Sequence, residues 1–335
     1  MEYKIHFLAL GDADAIVIKY KQDVYHRWIT VLVDAGNEGD GAKIKPYLDR
    51  AADGMHQIDY AFCTHPDKDH KGGFFDLLED PSVRIREMYL FNPWQYLESC
   101  DFVRVASRCA QMERAIDPFQ SPSDESKNLI EMAEDQGILC QATQGLQLDD
   151  IPLTILGPSD DYYRQCALGM VEEFAELNDD PDFEKYDENT FMDDNEAQSV
   201  IDEIEDESYT NKSSMVLLFH PSDEEKFLLP GDAACSSLQE MVECYGKILG
   251  NCILKVPHHG SKHNLTTALI DALRPRLAII SAKGNKKHPN AGIVYWLSKY
   301  CDVYSTHKSG TLTYSPQASG SPADPLKRKM PNCRR

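Results

Sequence analysis

The chain has 335 residues, 42% hydrophobic and 27% charged, with a net charge of −21, a composition that suits a soluble globular enzyme rather than a fibrous or disordered chain. No apolar run approaches the length that spans a bilayer, and the opening residues enter a strand pattern without a signal-peptide core, so neither a membrane nor a secreted protein is expected. Ten scattered cysteines with no close C-x-x-C pair predict a reduced, cytoplasmic protein and argue against a disulfide scaffold or a paired-cysteine zinc site.

Strands are predicted at 4–9, 15–20 and 28–33, each short, apolar and rich in β-branched residues. A loop with three glycines at 36–41 leads into a helical pattern (Ile44, Tyr47, Leu48, Ala51) ending near Gly54. The next strand, 58–63, runs directly into Thr64-His65. Helices are predicted after Gly73, around 103–116 and over 121–135, and a strand at 153–156 ends at Gly157-Pro158. An acidic insertion then occupies about 159–210. Its segment 160–207 holds 19 acidic and 2 basic residues, a local charge of −17, which leaves only −4 for the rest of the chain. Such a stretch is expected to be solvated, although Val171, Phe174, Ala175 and Leu177 mark an amphipathic helix within it. Beyond it come a hairpin (215–219 and 226–229), a helix at 237–248, a strand at 252–256, and a strand at 277–280 between two helices. Strands mixed with helices throughout predict an α/β (α+β) class with helix-covered sheets. One domain over 1–315 and a flexible basic tail at 316–335 complete the expected organisation.

The chemistry-bearing residues fall at strand ends. Asp34 follows 31–33, His65 follows 58–63, Asp232 follows 227–231, and His258 and His259 follow 253–257. Sites in layered α/β proteins assemble at that edge, where strand ends converge and loops are free to shape a pocket. His65, Asp67, Asp69 and His70 place two imidazoles and two carboxylates within six residues, enough for one short segment to serve two neighbouring cations. Mixed His/Asp ligation suits zinc or manganese. Gly72-Gly73 is read as a tight turn into the next helix. Asp34 has a second reading as a turn residue before Gly36, and His288 as a cap on the helix after Pro289. His307 is read as an exposed turn residue, and His6, His26 and His56 as structural.

The run Thr-His-Pro-Asp-x-Asp-His-x-Gly-Gly at 64–73 resembles the metallo-β-lactamase signature in its ComEC-type form, in which aspartate replaces the second histidine. Other segments are similar to the same family. They are the opening strand and turn at 7–15 (with Ala13 where glycine is usual), Val33-Asp34-Ala35-Gly36, and Asn211-Lys212-Ser213-Ser214 followed by Leu228-Leu229-Pro230-Gly231-Asp232. Leu254-Lys255-Val256-Pro257-His258-His259-Gly260-Ser261 and Gly284-Asn285-Lys286-Lys287-His288-Pro289 extend the match. The resemblance implies a four-layer αββα sandwich with two divalent metal ions at one edge. By analogy, His65 and Asp67 hold one ion, while Asp69, His70 and one of His258 and His259, with His259 favoured, hold the other. Asp232 bridges them, Asp34 orients ligands from behind, and His258 contacts phosphate. Asp69, His258 and His288 are the residues assigned to catalysis. The histidine that many relatives supply before the bridging aspartate is missing here, since the strand ends at Leu156-Gly157-Pro158; one ion is therefore expected to be held more loosely.

The implied activity is a phosphodiesterase, foremost a nuclease acting on DNA, with a defence or repair complex as the conjectured setting. Lys68, Lys71, Lys255, Lys262, Lys283, Lys286 and Lys287 flank the motifs and are expected to form a basic rim for a polyanion. Two other classes stay open: a small-molecule or headgroup phosphoesterase, and a non-catalytic subunit with a degenerate metal site. The acidic insertion is expected to dock a protein partner or cover the groove.

Overall fold

The computed structural model describes residues 2–21, 27–97, 117–173, 192–203, 206, 208–284 and 288–316. The helix expected at 103–116, the apolar positions Phe174 to Leu177, His26, Lys286, Lys287 and the tail from 317 onward lie outside the described residues.

Fourteen described strands form two sheets. The first contains β1 (Glu2–Phe7), β2 (Ile16–Lys21), β3 (Trp28–Val33), β4 (Asp49–Arg50), β5 (His56–Phe62), β6 (Val83–Leu90), β7 (Leu139–Gln141) and β14 (Leu312–Tyr314). Its order is β14-β1-β2-β3-β5-β6-β7, with β4 paired to β5. The second contains β8 (Leu153–Gly157), β9 (Val216–Ser222), β10 (Glu225–Leu229), β11 (Ile253–Lys255), β12 (Leu277–Ile280) and β13 (Asp302–Ser305), in the order β13-β12-β11-β10-β9-β8. The helices are α1 (Gly41–Ile44), α2 (Lys68–Glu79), α3 (Leu129–Asp135), α4 (Asp160–Glu173), α5 (Asp194–Ile201), α6 (Tyr209–Lys212), α7 (Cys235–Leu249), α8 (Thr267–Leu273), α9 (Ala291–Leu297) and α10 (Thr306–Ser309).

Period-two alternation builds the layers. Ile29, Val31 and Val33 of β3 and Leu217 and Phe219 of β9 enter one central cluster that joins both sheets. Leu32 of β3 packs outward with Ile44, Phe74, Phe75, Leu129 and Ala133 of α1, α2 and α3. Val216 and Leu218 of β9 pack outward with residues of α5, α7, α8 and α9. Apolar side chains on both strand faces explain why these strands read as unbroken hydrophobic runs. The result is a four-layer αββα sandwich. Among the described residues no helix is long and apolar enough to cross a membrane.

Several elements differ from the sequence expectation. The helix expected over 44–51 stops at Ile44 and continues as a 3₁₀ turn, Lys45–Tyr47, because Pro46 has no N–H to extend the ladder. The helix expected over 121–135 is confined to its second half. Asn128 caps it by accepting from the Ile130 and Glu131 N–H groups, while Ser121 and Asp124 side chains hold 121–127 in turns. The eight-residue β6 was not expected; Arg84, Arg86 and Glu87 interrupt its apolar pattern. Parts of the acidic segment belong to the core. Tyr163, Ala167 and Met170 of α4 enter the central cluster, and Ala197 and Ile201 of α5 enter the outer one.

The arrangement fixes one edge. Strands β3, β5 and β6 are mutually parallel, as are β10, β11, β12 and β13. Strand β1 points the same way as β3, since each is antiparallel to β2. The loops that leave these strands meet at a single place.

Candidate metal centre

The segment 65–70 turns rather than running extended through its length. Asp67 is the N-cap of α2, with φ −68° and ψ 147°, while Asp69 and His70 already lie in the first helical turn. The turn brings the His65 and His70 rings to a centroid distance of 4.0 Å. Gly72 and Gly73 lie inside α2 and serve close packing, not the turn assigned to them. A Cβ on Gly72 would stand 2.3 Å from the Glu38 backbone nitrogen, and one on Gly73 2.0 Å from the Ala35 carbonyl oxygen. Only bare backbone lets α2 settle against the loop after β3.

That loop carries Asp34, held at φ +57°, a conformation non-glycine residues seldom adopt. Its Oδ1 accepts from the Thr64 backbone N–H at 2.8 Å, and its Oδ2 accepts from Thr64 Oγ1 and His70 Nδ1, both at 2.8 Å. With Nδ1 donating, the Nε2 of His70 turns inward. Thr64 Oγ1 spends its proton on Asp34, so at 3.0 Å it accepts from His65 Nδ1. His259 Nδ1 donates to the Ser281 carbonyl at 2.9 Å. Three imidazoles are thus oriented from behind, each presenting Nε2 to one space.

Carboxylates fill the other side. Asp232 follows Gly231, whose positive φ and close approach to Thr64 leave no room for a Cβ. Asp232 Oδ2 lies 3.3 Å from His70 Nε2 and 4.0 Å from both His65 Nε2 and His258 Nε2. Asp69 Oδ2 is 3.1 Å from His259 Nε2, and Asp67 Oδ2 is 3.7 Å from His65 Nε2. Asp14, in the turn after β1, completes the group. One ligand atom each from Asp14, His70, Asp232 and His259 lies within 4.8 Å of the others, and all four residues are buried.

Asp14 was not singled out from sequence. It shares a short turn with Asp12, and composition does not separate them. Asp12 points outward to the Lys283 N–H, whereas Asp14 donates its own N–H to the Asp69 carbonyl and directs its carboxylate inward. The available signal was topological: β1 ends at the same edge as β3. Lys255 also lies elsewhere than expected. It is 1% exposed, its ammonium bound to Asp14 and 3.9 Å from Asp232 Oδ1, so it is a buried countercharge and not part of a basic rim. Lys71 is buried too, bonded to the Pro118 carbonyl. Lys68 and Lys283 are exposed.

The donor set fits a divalent cation. His65 Nε2, His70 Nε2 and Asp14 Oδ1 are buried without a hydrogen-bond partner, an arrangement that is costly unless something positive joins them. Five carboxylates (Asp14, Asp34, Asp67, Asp69, Asp232) converge, and the Lys255 ammonium offsets one of them. Burial and the neighbouring His70 push His65 down to about 4, keeping that imidazole neutral as a ligand must be. Burial opposes protonation of His70 as well, but Asp232 and Asp34 outweigh it and raise this group. Excess carboxylate charge draws protons where a cation would otherwise sit.

Of the imidazoles, His65 and His70 have no side-chain exposure, His259 3% and His258 25%, so the accessible face is the one bearing His258, with Asp67 and Asp69. His258 and His259 both have positive φ, +44° and +53°. His288 reaches this face, its ring centroid 5.4 Å from His258 and 5.9 Å from His259. His307 is half-buried in α10 beside Gly284 and hydrogen-bonds Ser305 Oγ at 2.5 Å, a more enclosed setting than the exposed turn expected of it.

No family model matches the chain. Over 115 residues it is 33% identical to ComE operon protein 3 of Bacillus subtilis (strain 168), an alignment covering 33% of this chain and 15% of that protein. The chain thus spans well under two thirds of that relative. Among solved structures it is similar to Igni18, described as a novel metallo hydrolase from the hyperthermophilic archaeon Ignicoccus hospitalis KIN4/I. The TM-score is 0.44 at 12% identity, with 94% of this chain and 100% of that one covered.

Proposed function

We propose that this protein is a metal-dependent phosphodiesterase of the metallo-β-lactamase superfamily, ComEC-type, and that its substrate is DNA. The observation that carries the reading is the convergence of inward-facing Nε2 atoms of His65, His70 and His259 on Asp14 and Asp232, with buried polar atoms left unpaired. In this reading His65 and Asp67 would hold one cation and Asp69, His70 and His259 a second, with Asp232 shared and Asp14 added to the set. Such cations lower the pKa of a water molecule toward neutrality and absorb charge on phosphoryl oxygens.

The chain's own groups do the rest. Asp34, Thr64 and the Ser281 carbonyl hold the Nδ1 side of these imidazoles, so each ring already faces the site with Nε2. Lys255 keeps Asp14 and Asp232 ionised and in place. On the accessible face, His258 and His288 contact the phosphoryl group, and an imidazole there is suited to hand a proton to the departing oxygen.

A second reading, hydrolysis of a small phosphodiester or headgroup, is favoured by the burial of Lys71 and Lys255, which weakens the basic rim a polyanion requires. One experiment separates the two: the purified protein is incubated with plasmid, single-stranded DNA and bis(p-nitrophenyl) phosphate, with manganese or zinc, beside the Asp69→Ala/His70→Ala double variant. Metal-dependent DNA cleavage lost in the variant supports the nuclease. Turnover of the small ester with intact DNA selects the second reading, and no turnover of either substrate removes both.

A further inference from the structure

One side chain of the acidic segment reaches the candidate metal centre. Asp206 Oδ2 lies 3.3 Å from His258 Nδ1 and accepts hydrogen bonds from Asn211 Nδ2 at 2.6 Å and Asn264 Nδ2 at 3.0 Å. Its backbone N–H donates to the His263 carbonyl at 3.0 Å, and its Oδ1 accepts from the Ser208 N–H at 2.9 Å. The carboxylate is therefore fixed on every side, and its own side chain is only 10% exposed. Asn264, fully buried, offers Oδ1 to the same imidazole nitrogen at 3.0 Å and anchors itself through the Asp232 carbonyl at 2.9 Å. Asn211 Nδ2 also stands 3.4 Å from Nδ1, but its short bond is the one to Asp206, so the two nearer neighbours of Nδ1 are acceptors and favour a proton on this nitrogen. The opposite nitrogen, Nε2, is then the one turned toward Asp232 and the accessible face. The His258 backbone is held at φ +44°, with its N–H on Asp232 Oδ1 at 3.1 Å.

We infer that Asp206 is a positioning residue for His258, so that the acidic segment, through this one carboxylate, sets the orientation of the imidazole that meets substrate. The consequence for turnover rests on the phosphodiesterase reading above; the orientation itself does not. A carboxylate standing behind a histidine in this way fixes both ring angle and tautomer, and losing it commonly costs on the order of ten- to a hundredfold in activity.

The test uses the full-length, metal-loaded protein and two readouts. In the first, hydrolysis of bis(p-nitrophenyl) phosphate is compared for wild type, Asp206→Ala, His258→Gln and the double variant. Asp206→Ala is expected to lower kcat by about ten- to a hundredfold with KM changed by less than about threefold, and to cost almost nothing further once His258 is Gln. A loss of equal size in both backgrounds means that Asp206 acts on stability or elsewhere, and overturns the inference. In the second, ¹⁵N spectra of the histidine rings report which nitrogen of His258 bears the proton. The Nδ1-protonated form is expected in wild type and is lost or mixed in Asp206→Ala; an unchanged His258 pattern overturns the inference. If Asp206→Ala proves too unstable to purify, Asp206→Asn, which preserves the side-chain shape, takes its place in both. Should wild type hydrolyse no phosphodiester, the functional reading fails, and the ring spectra alone decide the role of Asp206.

Discussion

Asp34 shows how one residue carries two separable burdens. Its φ of +57° is a backbone requirement, and its hydrogen bonds to Thr64 and His70 are a chemical one. Asparagine tolerates the left-handed region and keeps the side-chain shape, so Asp34→Asn should fold with Tm within a few degrees of wild type. It removes the carboxylate that fixes His70, and calorimetric titration with manganese or zinc should show affinity reduced by about ten- to a hundredfold. Asp34→Ala loses both roles and strands the buried Thr64 N–H; a stability loss of roughly 2–4 kcal/mol is expected in urea denaturation. An Asp34→Asn protein that binds metal as wild type does would show that the carboxylate charge is dispensable. Strand-end position made Asp34, His65, Asp232 and the His258-His259 pair visible in the sequence, because such residues stand out after apolar runs. Asp14 and Asp206 were not visible. One shares its turn with Asp12, and the other is one acid among 19 in a segment whose composition advertises solvent.

Helix α2 presents the same lesson for an element. Its candidate ligands Asp69 and His70 stood out in the sequence, but the reason for Gly72-Gly73 lies in a tertiary approach that local pattern does not encode. In an ordinary exposed helix, Gly→Ala stabilises by about 0.5–1 kcal/mol. Here the sign should reverse. A Cβ at Gly73 meets the Ala35 carbonyl oxygen at 2.0 Å, backbone that cannot rotate away, so Gly73→Ala is expected to destabilise by about 3 kcal/mol or more and to displace Asp69 and His70 together. Thermal denaturation with and without metal checks both parts, since the displaced site should also lose its metal-induced rise in Tm. A neutral or stabilising result would mean that α2 does not sit against this loop. The acidic segment makes the complementary point: charge hid its structural share. Tyr163, 1% exposed, stacks on Phe91 and donates to the Phe91 carbonyl at 2.7 Å. Tyr163→Ala should therefore cost about 3–5 kcal/mol, which a solvated insertion would not show.

For the whole molecule, helix-covered sheets were legible from strands mixed with helices, and the four-layer order was what the family resemblance implied, whereas β6 was hidden by its charged positions and β14 by its shortness. The closing of the first sheet by β14 against β1 brings late residues onto the first strand, and His6 sits at that seam. Its Nδ1 is 2.9 Å from Thr313 Oγ1 and its ring lies against Tyr47. Burial, aided by Lys19 and Lys4, pushes its pKa down to about 4 from 6.5. Between those values the unfolded chain binds a proton that the folded protein refuses, so unfolding is increasingly favoured as pH falls through this window. Above about 6.5 the imidazole is neutral in both states and contributes no slope. Because His6 is partly exposed, solvent screening reduces the effect to about 1–2 kcal/mol over the full window. Urea denaturation of wild type and His6→Gln at several pH values from 4 to 7 is the measurement. Absolute stability will shift with the lost packing, so the informative quantity is slope: the variant should lose part of the acid-side decline, the remainder belonging to groups such as His65 and His220, whose pKa values are also lowered. Equal slopes in the two proteins would show that His6 protonates as readily in the folded state as in the unfolded one, and that the β1–β14 seam is open to water.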